Sequence, residues 1–104
     1  MEPHKKIKRL VEEGRYKISF HARIQLAKRK IDAWKIQEYI KKSIILPAAD
    51  VDLSTQKNKF FCICHVNFKW ITFVVILLKQ IVIIKTGWNS KKSEIDLYRK
   101  RVKK

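Results

Sequence analysis

The stretch Trp70–Leu78, which reads WITFVVILL, constrains the fold more than any other part of the chain. Apolar side chains occupy its odd and its even positions alike, so a strand made from it must be covered on both faces. Similar β-rich segments flank it, KFFCICHVNF at 59–68 and QIVIIKTGW at 80–88. The connections between the three segments are short. This predicts antiparallel hairpins, with the apolar segment as the central strand.

Membrane insertion does not explain this apolar stretch. Lys79 and Gln80 interrupt it after nine residues, whereas a helix needs about 20 apolar residues to cross a bilayer. The first ten residues, MEPHKKIKRL, contain no apolar segment of the kind that a secretory signal carries. We therefore expect a cytoplasmic protein without a membrane segment, in which Cys62 and Cys64 stay reduced.

Two short elements are predicted at the N-terminus. Residues 3–13 read as an amphipathic helix, with Pro3 in its first turn and Gly14 just past its end. The next residues, RYKISF at 15–20, alternate between polar and apolar positions, as a short strand or an extended entry does.

Two further helices are predicted before the β-rich segments. Ser19 can cap a helix that runs from about residue 20 to Lys30, and Asp32 can cap the next one. Pro47 ends an extended segment, and residues 48–59 are the most loop-like stretch of the chain, part of which can pair as an edge strand.

The helix that follows Ser19 places a titratable side chain beside a fixed cation. At helical spacing, one polar stripe contains His21, Gln25 and Arg29. The apolar stripe predicted for this helix consists of Ile24, Ala27 and Ile31. The polar stripe is either a place where chemistry occurs or a solvated surface that contains a histidine.

The chain ends in a basic segment, residues 89–104. Ile95, Tyr98 and Val102 recur at helical spacing, with acidic residues early and basic residues late, as the helix dipole favours. We predict a C-terminal helix, and the alternative is a basic arm that becomes ordered on nucleic acid.

Together these elements predict a single α+β domain over residues 1–104. Its N-terminal helices would pack on a small antiparallel sheet and cover one face of it. Three candidates can cover the other face: the chain termini, a second copy in a homodimer, or a partner protein.

The net charge limits the kind of partner. The sequence has 25 Lys and Arg against 9 Asp and Glu, a formal charge of +16, which creates a positive field that attracts polyanions. Nucleic acid is the first candidate, because lysine and arginine supply most nonspecific phosphate affinity. An acidic protein is the second candidate partner and an anionic membrane surface the third. The alternative without any partner is that the positive charge reflects a compositional bias of the source organism.

The sequence CICH at 62–65 resembles half of a metal site. A closed zinc site needs four ligands, and no second pair of Cys or His lies at a suitable spacing. We therefore expect no metal and no other cofactor, and we assign the two thiols to core packing.

The helix after Ser19 also carries a family resemblance. Its residues resemble the hallmark of a small family of unknown function, which reads roughly S-x-H-A-x-x-R-x-x-x-R-x-I. The matching residues are Ser19, His21, Ala22, Arg29 and Ile31, and Gln25 stands where the family often has an arginine. That family is similar in fold to the RelE/ParE superfamily of toxins, which are small basic proteins paired with antitoxins. The resemblance covers roughly residues 7–88.

The resemblance implies a function as well as a fold. It implies a metal-independent RNA endonuclease, an mRNA interferase of a toxin–antitoxin pair, with RNA favoured over DNA and with an acidic antitoxin as the partner. Two alternatives stay open: a non-enzymatic nucleic-acid-binding module of the same fold, and a toxin that acts on a protein target.

Metal-independent RNA cleavage needs a base for the 2′-hydroxyl, cations for the phosphorane charge and a proton for the leaving oxygen. His21 is the candidate base, and Arg29 and Lys85 are candidate cations. Tyr98 and Arg99 occupy the late-chain position where RelE-like nucleases tend to place catalytic groups, so the resemblance implies a catalytic role for them. The candidate nucleic-acid contacts are Arg23, Gln25, Lys28, Trp88, Lys91, Lys92 and Arg101.

The main candidates also have structural interpretations. His21 could serve as a hydrogen-bonding group that links its helix to a strand. Arg29 could pair with Asp32 or Glu38, and Trp88 could close the core.

Overall fold

The computed structural model describes residues 2–52 and 56–103, over which helices and strands form one α+β arrangement. The helices are α1 (Pro3–Glu12), α2 (Phe20–Lys28), α3 (Ile36–Lys41), α4 (Ala49–Asp52) and α5 (Lys92–Val102). The strands are β1 (Tyr16–Ile18), β2 (Ile44–Pro47), β3 (Lys59–Val66), β4 (Lys69–Leu77) and β5 (Val82–Asn89). A 3₁₀ turn, Ala33–Lys35, leads into α3. The prediction of an α+β fold is confirmed.

The strands form a mixed five-stranded sheet in the order β1-β5-β4-β3-β2. The predicted central strand, β4, lies between β3 and β5, and these three strands and β2 pair antiparallel. β1 pairs parallel to β5, so the prediction of a wholly antiparallel sheet is wrong. The reason is connectivity: helices follow β1 instead of a hairpin turn, so β1 can reach the edge of the sheet in the parallel direction.

The helix ends follow local chemistry. Ser19 Oγ accepts a hydrogen bond from the Ala22 amide at 3.0 Å and caps α2, as predicted. α2 ends at Lys28, two residues before the predicted end, and Lys30 has a φ of 57° that no helix continues. Asp32 accepts from the Trp34 amide at 2.9 Å and caps the 3₁₀ turn instead of α3 itself.

The core lies between α1, α2 and α3 and one face of the sheet. Fully buried side chains at its centre are Ile7, Leu10, Leu26, Ile40, Phe73, Val75 and Ile84. α2 buries Ala22 and Leu26, whereas Ile24 is 38% exposed and Ala27 is exposed. The apolar stripe predicted for this helix is therefore wrong, although Ile31 is buried beyond the helix end.

Gly87 explains why α2 presents that narrower face. A Cβ at this position would lie 2.8 Å from Leu26 Cδ2 and 2.8 Å from Phe73 Cδ1. The missing side chain lets α2 approach β5 closely through Ala22 and Leu26. The last turn of α2, which contains Leu26, is thereby held directly against β5, the strand that also carries Lys85.

The opposite face of the sheet is partly covered by α5. The C-terminal helix is thus present as predicted, and it supplies one of the three expected coverings, a chain terminus. Within the predicted loop 48–59, α4 forms a short helix and residues 53–55 lie outside the described residues. No helix in the described ranges is long and apolar enough to cross a membrane.

Candidate functional site

A groove of about 770 Å³ opens on the sheet face opposite to α1, α2 and α3. Its apolar surface is formed by Phe61, Val74, Ile76, Leu78, Ile83 and Trp88. Its polar lining is formed by His21, Gln56, Asn58, Lys59, Lys85 and Thr86. An aromatic and aliphatic floor with a cationic border suits a ligand that has both a flat apolar part and negative charge.

His21 reaches this groove because Ser19 ties the start of α2 to β5. The Ser19 amide donates to the Ile84 carbonyl at 3.0 Å, and Ser19 Oγ donates to the Lys85 carbonyl at 3.3 Å. Ala22 is fully buried on the core side, while His21 is exposed. The S-x-H-A sequence thus combines a cap, a groove-lining imidazole and a small residue that lets the helix pack.

Lys85 occupies a β-bulge. Val75 pairs with Ile84 and Val74 pairs with Thr86, so Lys85 is an additional residue without a partner on β4. The bulge shifts the alternation of side chains along β5. Lys85 and Thr86 therefore both line the groove, although they are adjacent in sequence.

Trp88 is held in place by a buried carboxylate. Its Nε1 donates to Glu94 Oε1 at 3.0 Å, and Glu94 is only 3% exposed. The same Oε1 accepts from Thr72 Oγ1 at 3.0 Å and from the Lys91 amide at 2.8 Å. Several donors satisfy this one side chain, so α5 and the indole are fixed to the sheet together.

The Trp88 ring makes two further contacts. The Phe61 ring meets it edge-on, with centroids 5.9 Å apart, and Lys91 Nζ lies 5.7 Å from the centroid of the indole. The ring attracts this ammonium group, which places a positive charge beside the indole. Lys91 thus lies close to the groove although it does not line it.

Three of the five predicted catalytic residues lie elsewhere. Arg29 is half-buried, and its Nη1 donates to the Gly87 carbonyl at 2.7 Å, a contact that ties the end of α2 to β5. Tyr98 meets the Trp70 ring edge-on at 5.1 Å, and Arg99 Cζ lies 5.6 Å from the same ring. Trp70 is the second residue of β4 and Ile76, which lines the groove, is its last but one, about 20 Å apart at strand spacing. His21 and Lys85 are the predicted catalytic residues that share the groove.

The predicted nucleic-acid contacts are likewise dispersed. Trp88 lines the groove and Lys91 lies beside it, and Lys92 is the exposed first residue of α5. Gln25 is half-buried on α2 and Lys28 is exposed at its end. Arg23 lines a separate groove beside β1, and Arg101 lines a cleft beside β2.

Sequence reasoning missed several groove residues. Asn58, Lys59 and Thr86 belong to no motif, and Phe61 reads simply as a core residue of a strand. Thr86 faces the groove because of the bulge in β5, and the sequence alone does not predict that bulge. Glu94 could have been found from its position in the first turn of α5, where a carboxylate can bond to the backbone at the helix start.

The two cysteines belong to the core and not to the groove. Cys62 and Cys64 are both fully buried on the helix-facing side of β3. Burial raises the pKa of each thiol to about 12, so both stay protonated at neutral pH. His65 points to the opposite face and stacks on Trp70, with centroids 4.0 Å apart. Among the described residues, no three His, Cys, Asp or Glu side chains are grouped so as to hold a metal ion.

Comparison with known proteins adds no relative. No family model matches the chain, and neither the curated proteins nor the solved structures contain a significant match. The resemblance seen in the α2 sequence thus stays a prediction, and the proposed function depends on the groove.

Proposed function

We propose that this protein is a toxin-type, RelE-like ribonuclease that binds single-stranded RNA across the groove and cleaves it without a metal. The observation that carries the proposal is that His21 and Lys85 line one groove. The apolar surface of this groove includes the indole of Trp88, which Glu94 holds in place. The net charge of +16 supplies the general attraction to phosphate.

The proposed chemistry assigns one role to each group. The His21 imidazole removes the proton from a ribose 2′-hydroxyl, and the resulting oxygen attacks the neighbouring phosphorus. The Lys85 ammonium neutralises charge on the phosphorane, and the bond to the 5′-oxygen breaks. That oxygen takes a proton from water, and the resulting hydroxide takes the proton that the His21 imidazole had accepted, which restores the base. The products are a 2′,3′-cyclic phosphate and a 5′-hydroxyl. RNA is the substrate and DNA is not, because DNA has no 2′-hydroxyl.

Trp88 positions the substrate in this proposal. Stacking of a base on an aromatic side chain is worth about 1–3 kcal/mol and tolerates any base. Since Glu94 already fixes the indole, little side-chain entropy is lost on binding. An acidic antitoxin that covers the cationic border would block the same groove, and a protein acting on messenger RNA would work in the cytoplasm.

A second candidate is a non-catalytic RNA-binding module. The observation that favours it is the placement of Arg29, Tyr98 and Arg99, whose contacts with Gly87 and Trp70 give them structural roles. On this hypothesis the groove binds RNA, and no group in it protonates or deprotonates the ribose.

Cleavage of end-labelled single-stranded RNA by the purified protein in EDTA separates the two. His21→Ala should abolish cutting with an RNA affinity within about twofold of wild type, since one side chain of a strongly basic protein adds little to phosphate binding. The matched control is His65→Ala, another exposed histidine on the same sheet face, which should cut normally. Salt-sensitive binding without any cutting would favour the binding module, and cutting by folded His21→Ala would refute the assigned base.

A further inference from the structure

The strand β1 borders the sheet, and none of the described strands pairs with its outer edge. The Val82 amide donates to the Arg15 carbonyl at 3.1 Å, and the Ser19 amide donates to the Ile84 carbonyl at 3.0 Å. In a parallel pair alternate residues bond to the neighbouring strand, so the backbone groups of Tyr16 and Ile18 point away from β5. No hydrogen bond within residues 2–52 and 56–103 uses these outward groups.

A groove of about 720 Å³ lies directly beside this edge. Tyr16, Ile18 and Ala33 are half-buried in it. Trp34 lines the same groove and is 95% exposed, which is unusual for so large an aromatic side chain. Apolar side chains of an added strand could therefore enter the groove while its backbone bonds to β1.

The charges around the groove select the partner. Arg23 and Lys17 both line it and are exposed, and neither forms an ion pair with a carboxylate in the described part of the chain. A second copy of a chain with a charge of +16 would be repelled. Nucleic acid would pair with the cations but not with a row of backbone donors and acceptors.

We infer that the free edge of β1 takes up an extended acidic segment of another protein as a sixth strand of the sheet. The recognised segment alternates apolar residues, which enter the groove against Trp34, with acidic residues, which meet Lys17 on the other face. Strand addition of this kind draws its affinity from main-chain hydrogen bonds and its specificity from alternate side chains. The inference is independent of RNA cleavage, since the β1 groove and the His21 groove share no lining residue.

The probe for this surface is the blocked peptide acetyl-(Glu-Val)₄-amide with a fluorescent label. Binding is followed by anisotropy at about 150 mM salt, where long-range charge attraction is largely screened. Two further peptides carry N-methyl groups on all valines or on all glutamates. Only alternate residues of an added strand form hydrogen bonds with β1. One methylated peptide should therefore bind at least about tenfold more weakly than the unmodified peptide, and the affinity of the other should lie within about threefold of it.

Two charge reversals locate the site. Lys17→Glu should weaken binding about tenfold, because Lys17 is the cation that meets the acidic residues, whereas Lys100→Glu, at an exposed position of α5, should change it less than about twofold. Trp34→Ala should also weaken binding, with an unchanged circular dichroism spectrum because this side chain is exposed. RNA cleavage by all three variants serves as the readout of the other groove and should be unaffected.

Several results would overturn the inference. One is that the two N-methylated peptides bind equally well, and another is that the two charge reversals change binding equally. A third is the absence of saturable binding up to about 1 mM peptide, where a Kd of that size corresponds to a binding free energy near −4 kcal/mol. Displacement of the peptide by single-stranded RNA in proportion to site occupancy would assign this groove to nucleic acid instead.

Discussion

Replacing Gly87 by alanine tests the contact that sets α2 against β5. The new methyl group would stand 2.8 Å from Leu26 Cδ2 and from Phe73 Cδ1, and both side chains are buried. Overpacking of a close-packed core costs about 1–3 kcal/mol. Alanine also lowers the conformational entropy of the unfolded chain relative to glycine, which stabilises the folded state by about 0.4–1 kcal/mol. With the middle value of each range, the expected net loss of unfolding free energy is about 1.3 kcal/mol.

Urea denaturation followed by tryptophan fluorescence measures this loss. For a small domain the slope is about 1–3 kcal/mol per molar urea, so the midpoint should fall by roughly 1 M with an unchanged slope. Leu26→Ala creates space for the new methyl group. In that background Gly87→Ala should cost about 0.5–1 kcal/mol less, which a double-mutant cycle reports as coupling.

A neutral or stabilising effect of Gly87→Ala in the wild-type background would refute the reasoning. It would mean that α2 moves away from β5 without loss, so the position of His21 would not depend on this contact. Equal costs in both backgrounds would show that Leu26 is not the side chain that the methyl group meets.

Three further predictions concern the α2 cap, the buried carboxylate of Glu94 and the two buried thiols. Ser19→Ala should lower the unfolding free energy by about 1 kcal/mol through loss of the α2 cap. The control is Ser93→Ala, at an exposed position of α5, which should change the unfolding free energy by less than about 0.5 kcal/mol in the same urea titration. Glu94→Ala leaves buried donors without an acceptor and should lower the unfolding free energy by about 2–4 kcal/mol. The tryptophan emission maximum should shift as well, and an unchanged urea midpoint would contradict the hydrogen-bond network around Glu94. The raised pKa values of Cys62 and Cys64 mean that unfolding releases protons above pH 9, so stability should fall by about 1.4 kcal/mol per pH unit per thiol between pH 9 and about 12; native protein should also be inert to a thiol reagent at pH 8, and rapid reaction would contradict the burial.

The sequence predicts the elements of this protein well and their arrangement less well. Caps and periodicity locate α1, α2, α5 and the central strand, because Pro3, Ser19 and the apolar stretch at 70–78 act through local chemistry and burial. The parallel pairing of β1 is not predictable in this way, since nothing in three alternating residues tells which strand they will join. The buried face of α2 was mispredicted because it depends on a glycine 61 positions after Leu26.

The candidate site was predicted in part. His21, Lys85 and Trp88 share one groove, whereas Arg29 contacts a backbone carbonyl and Tyr98 packs on Trp70. A motif can specify residue types on one helix, but the meeting of two elements depends on the bulge at Lys85 and on how α2 docks. Those features arise from tertiary packing.

The most direct test of the proposed ribonuclease uses the substrate and not the protein. An RNA oligonucleotide that the wild type cuts in EDTA is resynthesised with a single 2′-deoxynucleotide on the 5′ side of the cut, and single-turnover cleavage of the two is compared. The proposed mechanism predicts that cutting at that bond disappears, that binding is kept, and that the unmodified RNA yields a 2′,3′-cyclic phosphate. Continued cutting at the 2′-deoxy position, or the absence of any cutting of RNA by the wild type, would contradict it.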